Sequence, residues 1–311
     1  STNDYDSDGC LDRTEWSWAE SIGSSSDNDN VASSIVDKHG NTYIIGRCSY
    51  QMIFDYQVNC NSQGSTVNFI AKLNYSGTWD WVEEIFTPSS VSYGSAYVED
   101  MAIDSMDNII FVGDYTINQG CIAIGSYCLN AQHSSYVAKI STFGSWYQPH
   151  TIGHSSGTSD IRAVDVNSND EIIVGGWFYN SVYFDSILLQ QYQATGNDAF
   201  VAKLGSGGWV WASKSSGTHS ANYDTGLEMI KNLEINHQDE IFVSGEMVGT
   251  KSIFGSTIFS TTNYQQNGFV AKLDDAGNWQ WASKFVKETS SYFGGFNDMA
   301  LVGNESIYLS G

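Results

Sequence analysis

One five-residue string limits what this chain can fold into. Phe69-Ile70-Ala71-Lys72-Leu73 returns as Tyr136-Val137-Ala138-Lys139-Ile140, as Phe200-Val201-Ala202-Lys203-Leu204 and as Phe269-Val270-Ala271-Lys272-Leu273. The lysines are 67, 64 and 69 residues apart. Repetition at that period means that one supersecondary unit is built several times and buries its apolar faces against its own copies.

Each period reads as four short strands. Six or seven residues after each lysine comes Trp79, Trp146, Trp209 or Trp279, and three of them continue as Trp-x-Trp through Trp81, Trp211 and Trp281. Period-two alternation puts both indoles on one face, as core between units. Two apolar stretches follow, joined by a polar turn and closed by Gly46, Gly113, Gly176, Gly245 or Gly311. Turns such as Asp274-Asp275-Ala276-Gly277-Asn278 carry hairpin chemistry. With no helical pattern between them, four strands per period of about 65 residues predict an all-β chain, a β-propeller of four-stranded blades. A two-sheet sandwich gives no reason for the repetition.

These residues resemble a bacterial and archaeal secreted β-propeller repeat whose units read Phe-Val-Ala-Lys-Leu, Gly, Trp-x-Trp-Ala, then Asp-x-x-Gly-Asn-x-Tyr-x-x-Gly. The resemblance runs from Trp16 to Gly311 and is strongest over Lys251–Ser256 and Phe269–Ala282. It departs at Trp146-Tyr147 and at Val302-Gly303-Asn304-Glu305-Ser306. It implies an extracellular scaffold and no single activity. Calling the strands A to D from the centre outward, A ends in Asp, B in Gly, C carries Lys and D carries Trp. The long B–C links and the D–A links are expected on one side, where loops on a rigid scaffold carry function. Trp16-Ser17-Trp18 reads as a D strand without its C strand, and Ile307–Gly311 as a B strand without a following C strand. The expectation is four complete units and a split fifth over 16–311. Its missing strand would come from a longer polypeptide or from a neighbour.

Residues 1–15 read differently. Asp4-Tyr5-Asp6-Ser7-Asp8-Gly9-Cys10-Leu11-Asp12-Arg13-Thr14-Glu15 fits a twelve-position EF-hand-like calcium loop. Asp4, Asp6, Asp8 and Asp12 would supply carboxylate oxygens, Cys10 its carbonyl, and Glu15 a bidentate carboxylate. This set of hard oxygens suits Ca2+. The loop resembles those of dockerins and thrombospondin-type repeats, without the exit helix. Cys48 and Cys60 bracket one B–C link and Cys121 and Cys128 the next. Paired positions predict disulfides and an oxidising, extracellular or cell-surface compartment.

The formal charge of −22, from 13 Lys and Arg against 35 Asp and Glu, opposes binding to nucleic acid and anionic membranes. No apolar run is long enough to span a bilayer. Gly153-His154-Ser155-Ser156-Gly157 matches a nucleophile-elbow string, but no helix pattern follows it. The six histidines lack metal spacing. Asp100, Asn232 and Asp298 share one position at the start of strand A, where such groups accept amide hydrogen bonds. Tyr50, Tyr56, Tyr179, Tyr192 and Tyr264 lie in B–C links as candidate glycan contacts, and Asn74 and Asn304 begin glycosylation sequons.

Three functions follow from these residues. The first is an extracellular structural or adhesive propeller, a surface, matrix or filament subunit that self-associates or holds another protein or glycan. The second is a carbohydrate-binding module. The third is a hydrolase or lyase whose carboxylates, with Asp27, Asp29, Asp160 and Asp224 as candidates, converge only in space. No motif carries catalysis, so the expectation is a protein that is not an enzyme.

Overall fold

The computed structural model describes residues 22, 29–54, 57–85, 87–88, 94–117, 121–129, 133–154, 157–191, 196–218, 227–249, 251–260, 266–285, 296–303 and 306–311. For some of these, Tyr50 and Cys60 among them, it describes the backbone alone. The described chain is all-β, with 28 strands paired antiparallel.

Unit one holds β1 (Asn30–Val36), β2 (Thr42–Phe54), β3 (Gln57–Leu73) and β4 (Trp79–Glu84), paired in that order. Unit two holds β5 (Thr87–Pro88), β6 (Gly94–Ala96), β7 (Asp100–Ile103), β8 (Ile109–Ile117), β9 (Ile122–Ile124), β10 (Tyr127–Leu129), β11 (His133–Ile140) and β12 (His150–Thr151). Unit three holds β13 (Gly153–His154), β14 (Thr158–Val166), β15 (Ile172–Tyr179), β16 (Ser181–Phe184), β17 (Ile187–Gln190), β18 (Asp198–Gly205) and β19 (Gly208–Lys214). Unit four holds β20 (Ser216–Thr218), β21 (Leu227–Ile235), β22 (Ile241–Val248), β23 (Lys251–Phe254), β24 (Thr257–Ser260), β25 (Asn267–Leu273) and β26 (Trp279–Phe285). Unit five has β27 (Asp298–Val302) and β28 (Ser306–Ser310). The expected A-B-C-D order is present in β1-β2-β3-β4, β14-β15-β18-β19 and β21-β22-β25-β26.

The A–B turns are closed by their first side chain. Asp37 Oδ1 accepts the amides of His39 (2.9 Å) and Asn41 (2.8 Å), and Asn167 Oδ1 does the same for Asn169 and Glu171. The repeat lysine then ties strand C to this turn. Lys139 reaches Asp104 (2.6 Å), Lys203 reaches Glu171 (2.9 Å) and Lys272 reaches Glu240 (2.7 Å). In unit one the partner is instead Asp80, at 3.1 Å.

Three expectations are corrected. The two indoles of Trp-x-Trp do not share a face: a one-residue bulge opposite Lys72/Leu73, Lys203/Leu204 and Lys272/Leu273 reverses the alternation between them. Trp209 therefore packs within its own unit, while Trp211 donates to the carbonyl of Asp275 in the next (3.1 Å). Unit two lacks that extra residue, so Tyr147 follows Trp146 directly, lies 5.2 Å from the Lys139 ammonium, and the D strand shrinks to a bridge and β12. Third, most B–C links are not open loops. β9–β10, β16–β17 and β23–β24 are hairpins, and each pairs with a D–A segment, β5, β13 or β20. The two link types thus meet on one side, as expected.

Neighbouring units pack face to face. One apolar cluster joins Tyr43, Ile45 and Trp81 of unit one to Phe111 and Tyr136 of unit two. A second joins Ile110 and Val137 to Val174 and Phe200, and a third joins Ile173 and Val201 to Val243 and Phe269. On the A–B turn side, Ser105 gives its amide (2.9 Å) and hydroxyl (2.7 Å) to Asp170 of the next unit, and Ser168 does the same to Asp239. Asp239 also holds a φ of 58°, a conformation that Asp and Asn tolerate better than Ala. Asp239→Ala is expected to cost about 1–2 kcal/mol and Asp239→Asn less, read from urea midpoints.

Candidate functional site

The inner strands β1, β7, β14, β21 and β27 contact one another in succession and line one cavity of about 740 Å³. Alternation along each strand delivers its lining. Ser33, Asp100, Asn232 and Asp298 form one level, and Ile35, Ala102, Asp165 and Glu234 form the next.

The cavity is acidic. Asp100 Oδ2 accepts the amide of Val164 in the next unit (3.0 Å), and its Oδ1 accepts Met101 N (2.8 Å) and the Ser33 hydroxyl (3.3 Å). Asp165 repeats this one unit on, accepting Ile235 N (2.8 Å) and Val166 N (2.7 Å). Asp298 accepts Met299 N at 2.9 Å, and Asn232 donates to Ser244 Oγ at 3.0 Å. The residues read as amide acceptors thus behave so at Asp100 and Asp298, whereas Asn232 bonds a side chain. Burial pushes the Asp165 carboxyl up to about 6, with Asp100 adding to it. Glu234 rises to about 7, through burial first and then the charges of Asp165, Asp100 and Asp298.

The mouth is built by bulges. β1, β14 and β21 each carry an extra residue, between Val31 and Ser33, Ile161 and Ala163, and Ile230 and Asn232. Those residues, Ala32, Arg162 and Lys231, all line the cavity, because a bulge re-aims the side chain it inserts. Arg162 donates through Nε to Asp160 Oδ2 (2.8 Å) and through Nη1 to Glu99 Oε2 (3.2 Å). Lys231 pairs with Glu246. Glu99, Asp114 and Asp160 each offer a carboxylate oxygen, all within 4.8 Å of one another, a grouping able to hold a metal ion. Burial, then Asp160 and Glu99, push Asp114 up to about 7. In sequence, Asp114 follows a closing glycine and Glu99 precedes strand A. Only strand register brings them to Asp160.

The other predicted residues fall out as follows. Asp4, Asp6, Asp8, Cys10, Asp12 and Glu15 lie outside the described residues, as do Asp27, Tyr56, Tyr192, Asp224, Tyr264, Asn304 and Ser155. The Cys121–Cys128 disulfide is present, with Cα atoms 5.5 Å apart. Cys48 is disulfide-bonded, and the Cys60 side chain lies outside the described residues, as does that of Tyr50. Tyr179 ends strand β15 rather than lying in a link, and Asp160 lies in β14, buried, rather than in a D–A loop. In both cases the strand runs further than the hydrophobic pattern marks it. Asn74 organises its own turn: Oδ1 accepts Ser76 N (3.0 Å) and Thr78 N (3.1 Å), and Nδ2 donates to Asp80 (2.9 Å).

These carboxyls set a direction for stability against pH. Asp114 (about 7), Asp165 (about 6), Glu234 (about 7) and buried Glu228 (about 8, from burial first) titrate above their unfolded values. Between roughly pH 4 and 8 these four carboxyls bind more protons in the folded chain than in the unfolded one, so their contribution to stability falls as pH rises, against a smaller opposite contribution from His150, whose pKa burial lowers. Asp37, Asp104, Glu171 and Glu240, held low by their hydrogen bonds, act oppositely, below about pH 4. The urea midpoint is expected to drop steadily from pH 5 to pH 8, and a flat or rising midpoint would refute these assignments.

No protein-family model matches the chain, and no curated protein does. Among solved structures, one titled as a new family of polysaccharide lyase, PL25 ulvan lyase, is similar at 10% identity and a TM-score of 0.41. The match covers 82% of this chain and 64% of the lyase, so the chain spans less than two thirds of that protein. A protein of unknown function from Bacteroides caccae is similar at 8% identity and a TM-score of 0.32, over 78% of each chain. Morganella morganii TcdA4 is similar at 10% identity and a TM-score of 0.29, over 91% of this chain and 16% of its own.

Proposed function

We propose that the chain is a β-propeller module of an extracellular protein, with a structural or adhesive role. One observation carries this reading: the five inner strands line one cavity in succession, and two of its carboxylates, Asp100 and Asp165, are spent on the next unit's backbone. Asp100 holds Val164 and Asp165 holds Ile235, so acidic groups that resemble a reactive cluster act as clasps. At the mouth, Arg162 and Lys231 are likewise paired within the chain. That pairing supports a scaffold over a hydrolase or lyase. The Cys121–Cys128 disulfide is consistent with secretion. The test is Asp165→Asn in the intact chain. A scaffold loses stability at this clasp and retains partner binding, whereas a binding or catalytic role for Asp165 would show as lost function at unchanged stability.

A second reading, carbohydrate binding, rests on the cavity. Its volume falls within the range of small-molecule sites, and Lys231, Asn232, Glu234 and Asn297 offer it polar groups. A glycan array checks this. A hit that Glu234→Gln abolishes favours it, and a blank array favours the scaffold alone.

Calcium belongs to the same proposal. The Asp4–Glu15 loop supplies the ligand pattern, and bound Ca2+ would stabilise the start of the chain. Removing calcium with EDTA is expected to lower the melting temperature, and Glu15→Gln to reproduce that drop. Identical melting with and without EDTA would remove the structural role.

A further inference from the structure

We propose that the Cys121–Cys128 disulfide is a surface site for thiol exchange. An external thiolate attacks Sγ of Cys128, a mixed disulfide forms there, and Cys121 leaves as the thiolate.

The alternation of the β9–β10 hairpin turns this bond to solvent. Tyr127 faces Ile124, Cys128 faces Ala123 and Leu129 faces Ile122. Ile122, Ile124 and Leu129 point inward, at most 6% exposed, and join the apolar cluster that unit two shares with unit one. Cys121, Ala123 and Cys128 therefore belong to the opposite face. There Cys128 is exposed and Cys121 half-buried.

The position of Cys128 is open in each copy of the hairpin. Counted from the positive-φ turn residues Gly125, Asp185 and Gly255, its counterparts are Leu188 and Ile258, 47% and 55% exposed. The counterparts of Cys121 are Ser181 and Lys251, half-buried like it. Exposure at this position is a property of the repeat.

The same two copies fold with no cysteine. β16–β17 pairs from Ser181 with Gln190 to Phe184 with Ile187, and β23–β24 from Lys251 with Ser260 to Phe254 with Thr257. A hairpin of this design stands without a covalent tie, so opening the bond requires no prior unfolding and leaves an arrangement that units three and four already adopt. Cys48 is the internal contrast. It too is disulfide-bonded, but it is 0% exposed. Exchange depends on access to the attacked sulfur, and exposed bonds are the labile ones.

The step balances. The external sulfur is oxidised to the disulfide level as the Cys121 sulfur is reduced to thiolate. A second external thiolate attacking the adduct would yield an external disulfide and free Cys128. The formal charge of −22 favours a cationic thiol over an anionic one, which makes cysteamine the probe. This inference stands whether or not the cavity binds a ligand.

The test uses the intact native protein, its free thiols first blocked with N-ethylmaleimide. Cysteamine is added at about pH 8, where a free thiol is partly ionised. Samples taken over time are quenched in acid, labelled with deuterated N-ethylmaleimide and mapped by tandem mass spectrometry. The Cys121–Cys128 bond is expected to open at least about tenfold faster than the bond of Cys48. Cysteamine should be found on Cys128 and the deuterated label on Cys121, with the near-UV circular dichroism of the protein unchanged. Equal or faster opening at Cys48 would overturn the proposal, as would a Cys121–Cys128 bond that opens only when the near-UV signal is lost. Opening with no adduct on Cys128, or with the adduct chiefly on Cys121, would overturn the assignment of the attacked sulfur.

Discussion

Gly245→Ala is expected to cost about 3 kcal/mol, the upper part of the range for forcing a methyl into a packed interior. A Cβ at Gly245 would lie 2.0 Å from the carbonyl oxygen of Met229 and 3.0 Å from the Phe269 ring. The first of these is backbone, held by the neighbouring strand, and cannot swing away. The same approach recurs at Gly46 (2.1 Å from Asn30 O), Gly113 (2.0 Å from Tyr97 O) and Gly176 (2.0 Å from Asp160 O). In units one, three and four this carbonyl belongs to the residue just before the bulged pair that aims a side chain at the cavity. The glycine and the cavity mouth are therefore one device, and Gly176→Ala should also disturb Arg162. Urea unfolding of both variants measures the cost; a loss under about 1 kcal/mol would mean that the strands separate easily at this point.

Phe254→Ala is expected to cost a similar 3–5 kcal/mol, typical for emptying an aromatic site in a core. Phe254 is fully buried, 4.6 Å from Phe269 and 5.2 Å from Trp279 between ring centroids. Phe184 stands equivalently at 5.2 Å from Phe200 and 4.9 Å from Trp209, and Phe54 at 5.5 Å from Phe69 and 4.9 Å from Trp79. Each aromatic anchors a B–C hairpin, or its counterpart in unit one, onto strands C and D. Its removal should release β23–β24 as well as weaken the sheet. Faster amide exchange over Lys251–Ser260 than over Asn267–Leu273 would show this, and uniform change across both would contradict it.

The strands were legible because their signals repeat: a lysine, a tryptophan and a glycine in fixed order mark C, D and B in each full unit. Lys203 shows why the lysine belongs there, since its side chain is 3% exposed between Glu171 and Asp275 and needs both carboxylates. The hairpins were missed although they too carry a mark. Ile124-Gly125-Ser126, Phe184-Asp185-Ser186 and Phe254-Gly255-Ser256 each turn on a residue at positive φ, 56°, 52° and 58°. A single Gly or Asp in a polar stretch is a weak turn signal until copies are aligned.

The bulges were not legible. Nothing in Trp-x-Trp separates plain alternation from a bulge that sends Trp211 into the next unit, because the choice is made by packing across units. The same holds for the cavity. Asp100 and Asp298 stood out as one repeated position, but Asp165 with Glu234, and Arg162 with Lys231, repeat in units three and four alone, at positions that are apolar in unit one. Their convergence is set by register alone. The calcium loop, in contrast, is a sequence motif whose ligands lie outside the described residues.

The strands β1, β7, β14, β21 and β27 line one cavity, and successive units pack face to face. A crystal structure of the chain, at a resolution that separates strands, tests this arrangement most directly. Viewed down the cavity, it should show Ser33, Asp100, Asp165, Glu234 and Asp298 lining a common wall, with Asp100 bonded to Val164 N and Asp165 to Ile235 N. Units stacked in a line, or paired as two facing sheets with these residues apart, would contradict it.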